Sequence, residues 1–151
     1  MDWAFDITIK TRKFLNSFIE NLSLSELNKV PDGFNNNIIW NIAHVVVTQQ
    51  LLVYNLSGLP TIVSKEMIDS YRKGTKPLRD LNQAEVDAIG NLLFSTIEKT
   101  KDDYDSKLFQ TYNQYTVTTK NTISNVEEAI EFNNFHEGIH LGYILALRKS
   151  I

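Results

Sequence analysis

Cysteine is absent from this sequence, and with it go disulfides, thiolate metal ligands and a cysteine nucleophile. No Lys/Arg-rich run occurs, so the dense positive patch of a nucleic-acid binder is missing. The 15 basic residues nearly balance 18 acidic ones, for a net charge of −3. Nowhere do about 18 apolar residues run together, so no membrane span is indicated. The opening residues Met1 to Asp6 lack a basic region followed by an apolar stretch, and do not read as a secretion signal. A soluble, cytoplasmic protein without nucleic-acid or membrane partners is the expectation. Histidine is scarce too: there are three, His44, His136 and His140.

What is present suits one compact domain spanning 1–151, with 42% hydrophobic and 22% charged residues. Four segments carry helical periodicity. In the first, roughly 2–22, Trp3, Ile7, Phe14, Phe18 and Leu22 recur on one face. The second, roughly 36–57, starts in the Asn35–Asn37 run of cap candidates and carries Trp40, His44, Val47, Leu51 and Tyr54 as its stripe. Gly58 and Pro60 end it. The third, roughly 82–104, opens on a capping-box pair, Asn82 and Glu85, and the fourth opens on Ser124 and Glu127 and runs to about Arg148. A long connection from about Gly58 to Leu81 separates the middle helices, and connections of that length are often functional. Residues Phe109 to Thr119 read as a strand, a short hairpin or an irregular crossover. The fold class expected is all-α, a four-helix bundle with long crossover loops.

His136 and His140 stand four apart, a spacing that projects both imidazoles from one face of a helix. That face is the one carrying Val126, Ile130 and Ile144, and His44 sits on the inner seam of the second helix, one turn after Trp40. A single inward histidine is usually a hydrogen-bonded core residue. Three inward histidines, with no others in the chain, point instead to one metal ion with coordination positions left open.

Residues His136-Glu137-Gly138-Ile139-His140 also spell the zinc-peptidase pattern H-E-x-x-H, in which the glutamate is the base. Those enzymes take a third ligand downstream. Here 11 residues follow His140 and none is His, Asp, Glu or Cys. Glu137 falls within the apolar stripe, where it is a partner to the site, a base, or a carboxylate paired with an arginine.

Several stretches resemble the DinB-like (DinB/YfiT) superfamily of metal-dependent enzymes: Trp40-Asn41-Ile42-Ala43-His44, Leu56 to Pro60, Tyr71 to Thr75 with Pro77, and His136 to Ile144 with Leu147-Arg148. The resemblance spans nearly the whole chain. It implies a four-helix bundle, usually a homodimer, with His44, His136 and His140 as ligands of a divalent metal such as nickel or zinc. It also implies a thiol chemistry, since characterised relatives include bacillithiol S-transferases and mycothiol-dependent isomerases. In such a scheme the metal activates a low-molecular-weight thiol that attacks a small-molecule electrophile.

Two further readings stay open: a metal-dependent hydrolase with Glu137 as base, and a non-catalytic, metal-binding dimeric stress protein. Phe132, Phe135 and Ile139 are placed away from the histidines, either as a dimer interface or under the long loop or the Phe109–Thr119 segment. Tyr143 is either a pocket residue or packing.

Overall fold

Four long helices dominate the chain in a computed structural model that describes residues 1–151. They are α1 (Asp2–Asn21), α3 (Ile38–Gln50), α5 (Gln83–Asp105) and α6 (Val126–Arg148). Two short helices, α2 (Leu24–Asn28) and α4 (Lys65–Tyr71), join them, and the only strands are β1 (Tyr115–Thr116) and β2 (Thr122–Ile123). The architecture is all-α. No helix is long and apolar enough to cross a membrane.

The starts of these helices follow their side-chain caps. Asn37 accepts from the Trp40 N–H to open α3, and Asn82 with Glu85 forms the expected capping box of α5. The fourth cap lies one residue later than the sequence suggested. Asn125, not Ser124, accepts from the N–H three residues on, while the Ser124 N–H donates back to Glu128. Only half of a capping box is present, since the N–H that Glu128 accepts belongs to Ser124 and not to the cap residue itself.

Beyond Gln50 the second long helix widens into a π-helical turn, Leu51–Asn55, and Gly58 at φ +73 ends it in a conformation other residues seldom adopt. The long connection that follows is not structureless. It contains α4, capped by Ser64. The β1–β2 hairpin pairs Tyr115 with Ile123 and Thr116 with Thr122; β1 lies inside the expected Phe109–Thr119 segment, and its partner strand follows that segment.

Packing is organised around α3, in which every residue but Thr48 is buried. A helix apolar nearly all round belongs in the middle, and α3 touches α2, α4, α5 and α6. α1 in turn packs on α5 and α6. The buried stripe of α1 differs from the expected one: Ala4, Phe5, Thr8, Arg12, Leu15 and Phe18 face inward, whereas Trp3 and Phe14 are exposed. Two polar residues, Thr8 and Arg12, occupy core positions and turn the stripe away from its largest aromatics.

The core forms two apolar clusters. One gathers Leu15, Phe18, Ile42, Val46, Leu93 and Ile144; the other gathers Phe5, Leu52, Val53, Ile97, Ala129 and Ile130. Along α1, α5 and α6 a buried polar layer falls between them. There Arg12 binds both Glu137 and Thr96, and Asn133 donates to Glu137.

Candidate metal centre

Three imidazoles converge where α3 meets α6. Their ring centroids are 5.2 Å apart for His44 and His136, 4.6 Å for His44 and His140, and 4.5 Å for His136 and His140. One nitrogen from each lies within 4.8 Å of the other two. The i, i+4 spacing sets the α6 pair side by side, and only the packing of α3 against α6 brings His44 to them. His44 is buried and the other two are half-buried.

Hydrogen bonds decide which nitrogen each ring presents. The Nδ1–H of His44 donates to the Tyr71 carbonyl at 2.6 Å. Tyr71 ends α4, where helix carbonyls lack intrahelical partners, so the long connection supplies this acceptor. Asn41 uses its amide N–H groups on Asn36 Oδ1 and the Asn37 carbonyl, which turns its Oδ1 toward His140. His140 Nδ1–H therefore donates to that oxygen at 2.8 Å. Both rings thus keep Nε2 as the lone-pair nitrogen; on His44 it faces the Thr48 hydroxyl at 3.3 Å. Trp40 stacks flat on His44, with centroids 4.8 Å apart and planes 11° from parallel, and fixes the ring's plane.

The third ring differs. His136 Nδ1 is buried without a hydrogen-bond partner, one of three such side-chain atoms in the molecule. An unpaired buried nitrogen is expensive, and a cation would satisfy it. Burial, reinforced by the other two imidazoles, pushes the His136 pKa down to about 3. Burial, then His44, takes His140 to about 4, and burial lowers His44 against the opposing pull of the Tyr71 carbonyl. All three rings are therefore neutral near pH 7, the form that binds metals. An all-imidazole donor set suits borderline cations such as zinc and nickel. The residues present fit a metal ion.

Glu137 is fully buried and pairs with Arg12, the last of the three roles the sequence left open for it. Its partners are Arg12 of α1 and Asn133 of α6, so H-E-x-x-H here supplies two imidazoles and a structural carboxylate. Phe132, Phe135 and Ile139 are not turned away from the histidines. They line the same cleft as His136 and His140, a cavity of about 570 Å³ whose lining also includes Leu51 from the π turn and Leu56 just after it. Tyr143 instead packs edge-on against Phe34, with centroids 5.6 Å apart.

Asn41, Tyr71 and Thr48 were not singled out as site residues by sequence reading. Asn41 had one usable signal, its place one turn before His44 on the same helix. Tyr71 contributes only a backbone carbonyl, which no side-chain pattern announces.

The fold and the site describe an all-α protein with a histidine cluster able to hold a metal ion. A family model described as the DinB superfamily matches residues 8–144, and the chain belongs to that superfamily. A conserved protein from Enterococcus faecalis, known from a crystal structure, aligns with a TM-score of 0.68. The alignment covers 99% of this chain and 95% of that one at 11% identity, a likeness that speaks to fold alone. No curated protein matches the sequence.

Proposed function

We propose that this chain is a divalent-metal-dependent enzyme of the thiol S-transferase type, using a bacillithiol-like thiol and a small electrophile. In this reading His44, His136 and His140 hold the cation, nickel or zinc, in a cytoplasmic homodimer whose four mutually packed long helices form a four-helix bundle. The observation that carries it is the apolar cleft opening on three neutral imidazoles that carry no carboxylate among them. Bound there, a divalent cation would lower the pKa of a thiol placed in its open positions.

The chain's own residues have distinct tasks. Asn41 and Tyr71 hold the His140 and His44 protons on Nδ1, leaving Nε2 as the ligating atom. Trp40 keeps the His44 ring in plane. Phe132, Phe135 and Leu51 line the cleft, exclude water and receive the apolar body of a substrate. Hydrolysis with Glu137 as base is disfavoured, because Arg12 and Asn133 already occupy that carboxylate. A purely structural metal would need no adjoining cleft.

Two measurements test the reading. Metal content of protein purified without chelators should drop in His44→Ala, His136→Ala and His140→Ala; unchanged stoichiometry in His140→Ala removes the site. Conjugation of a model alkyl halide with bacillithiol forms a sulfur–carbon bond, expels halide with its electron pair and releases the thiol proton to solvent. A rate no higher than that of free metal removes the transferase.

A further inference from the structure

Among the residues that line the cleft there is no aspartate and no glutamate, although the chain carries 18 of them. The one permanent charge is Lys73. We infer that the cleft takes an organic anion, a carboxylate attached to an apolar body, with Lys73 as the residue that selects it.

The lysine is held, not merely nearby. Lys73 lies two residues past the end of α4, and Gly74 at φ +89 turns the chain just after it. Its Nζ donates to Thr118 Oγ1 at 2.8 Å, across 45 residues of sequence, so the hairpin connection fixes the ammonium over the cavity. An ammonium has three donors. Thr118 uses one. Four lysines pair with an aspartate; Lys73 does not, and of the lysines without a carboxylate partner it alone lines the cleft.

The rest of the lining divides into apolar side chains (Leu51, Leu56, Phe132, Phe135) and neutral amides and hydroxyls such as Asn36 and Thr119. A neutral amphipath would leave the lysine solvated and gain nothing from it. A monocarboxylate with an aromatic or alkyl body matches both the charge and the wall. This inference deepens the transferase reading by naming the ligand class, yet its readout is binding, so either can fail while the other stands.

The probes are 4-phenylbutyrate and its neutral counterpart 4-phenylbutyramide, titrated by calorimetry into chelator-treated and zinc-loaded protein. The acid should bind wild type about three- to tenfold tighter than the amide, a range set by a partly solvated charge pair. Lys73→Gln should erase the preference and Lys73→Glu should reverse it, with amide binding unchanged. The preference should weaken at high salt. Three results overturn the inference: no saturable binding of the acid, equal binding of acid and amide to wild type, or a preference that survives in Lys73→Gln. Persistence confined to the zinc-loaded form would assign the carboxylate to the histidine cluster instead.

Discussion

Arg12 and Glu137, 125 residues apart in sequence, meet with 2.8 Å between Nη2 and Oε1, and neither side chain is exposed to solvent. The pair joins α1 to α6, and Arg12 Nη1 extends it to α5 through the Leu93 carbonyl at 2.9 Å and Thr96 at 2.8 Å. Glu137 adjoins His136 in sequence, so the same turn of α6 is anchored on one side and presents its imidazole on the other.

Breaking this pair from one side should be severe. Glu137→Leu leaves a buried guanidinium without its counter-charge, at a loss of about 3–5 kcal/mol. The double variant Arg12→Met/Glu137→Leu should recover most of that loss, because an apolar pair of similar volume needs no compensation. Urea denaturation of the three proteins checks both statements. A single variant within 1 kcal/mol of wild type, an order-of-magnitude threshold, would contradict the network's role.

Asn41 acts on the site through His140. Asn41→Leu removes the acceptor of the Nδ1–H and should weaken zinc binding by about 10–100-fold, as loss of a hydrogen bond behind a ligating histidine typically does. Asn41→Asp keeps an acceptor toward His140 and should retain affinity, although it forfeits the bonds to Asn36 and the Asn37 carbonyl. Competition titration with a chromogenic chelator reads the difference, and wild-type affinity in the leucine variant would refute the assignment.

Stability of the metal-free protein should depend on pH with a definite sign. In the unfolded chain histidines titrate near pH 6.5, whereas burial holds His136 at about 3 and His140 at about 4 in the folded one, with His44 lowered as well. Between those values the unfolded state binds more protons, so stability rises with pH. Their contribution is therefore complete above pH 6.5 and is lost as pH falls toward 4 and then 3. Melting temperatures of chelated protein from about pH 3 to about pH 7 test this. Replacing all three histidines by glutamine should flatten that part of the profile.

The start of α6 offers a smaller test. Asn125→Ala should cost about 1 kcal/mol by deleting the side-chain acceptor of the Glu128 N–H, whereas Ser124→Ala should be nearly neutral. The Ser124 contribution to the cap is a backbone N–H, which alanine retains, and its hydroxyl accepts only a long, exposed bond of 3.3 Å from Gln114 Nε2.

Periodicity and caps carried the helix placements well because they are local. α3, α5 and α6 begin where Asn37, Asn82 and Asn125 can satisfy free N–H groups, and only the last was misplaced, by one residue. The inner face of α1 was misread for a different reason. A search for apolar residues cannot rank Arg12 above Trp3, because the arginine is buried only by virtue of a carboxylate more than a hundred positions away. Phe132 and Phe135 were set on the wrong side for a related reason. Their neighbours in the cleft include Tyr115 and Val117, from the Phe109–Thr119 segment offered as one cover for them, but that this cover shares a cavity with the histidines depends on packing between distant segments.

From the residue order alone come the helical class, the side-by-side setting of His136 and His140, and the family to which the chain belongs. Each depends on spacing along one rod or on a linear pattern. Left to the assembled molecule were the meeting of His44 with that pair, the nitrogen each ring offers, the burial of Glu137 against Arg12, and the lone ammonium over the cleft. Those depend on contacts between segments distant in the chain, where position is set by the packing of whole helices against one another and not by any short-range preference.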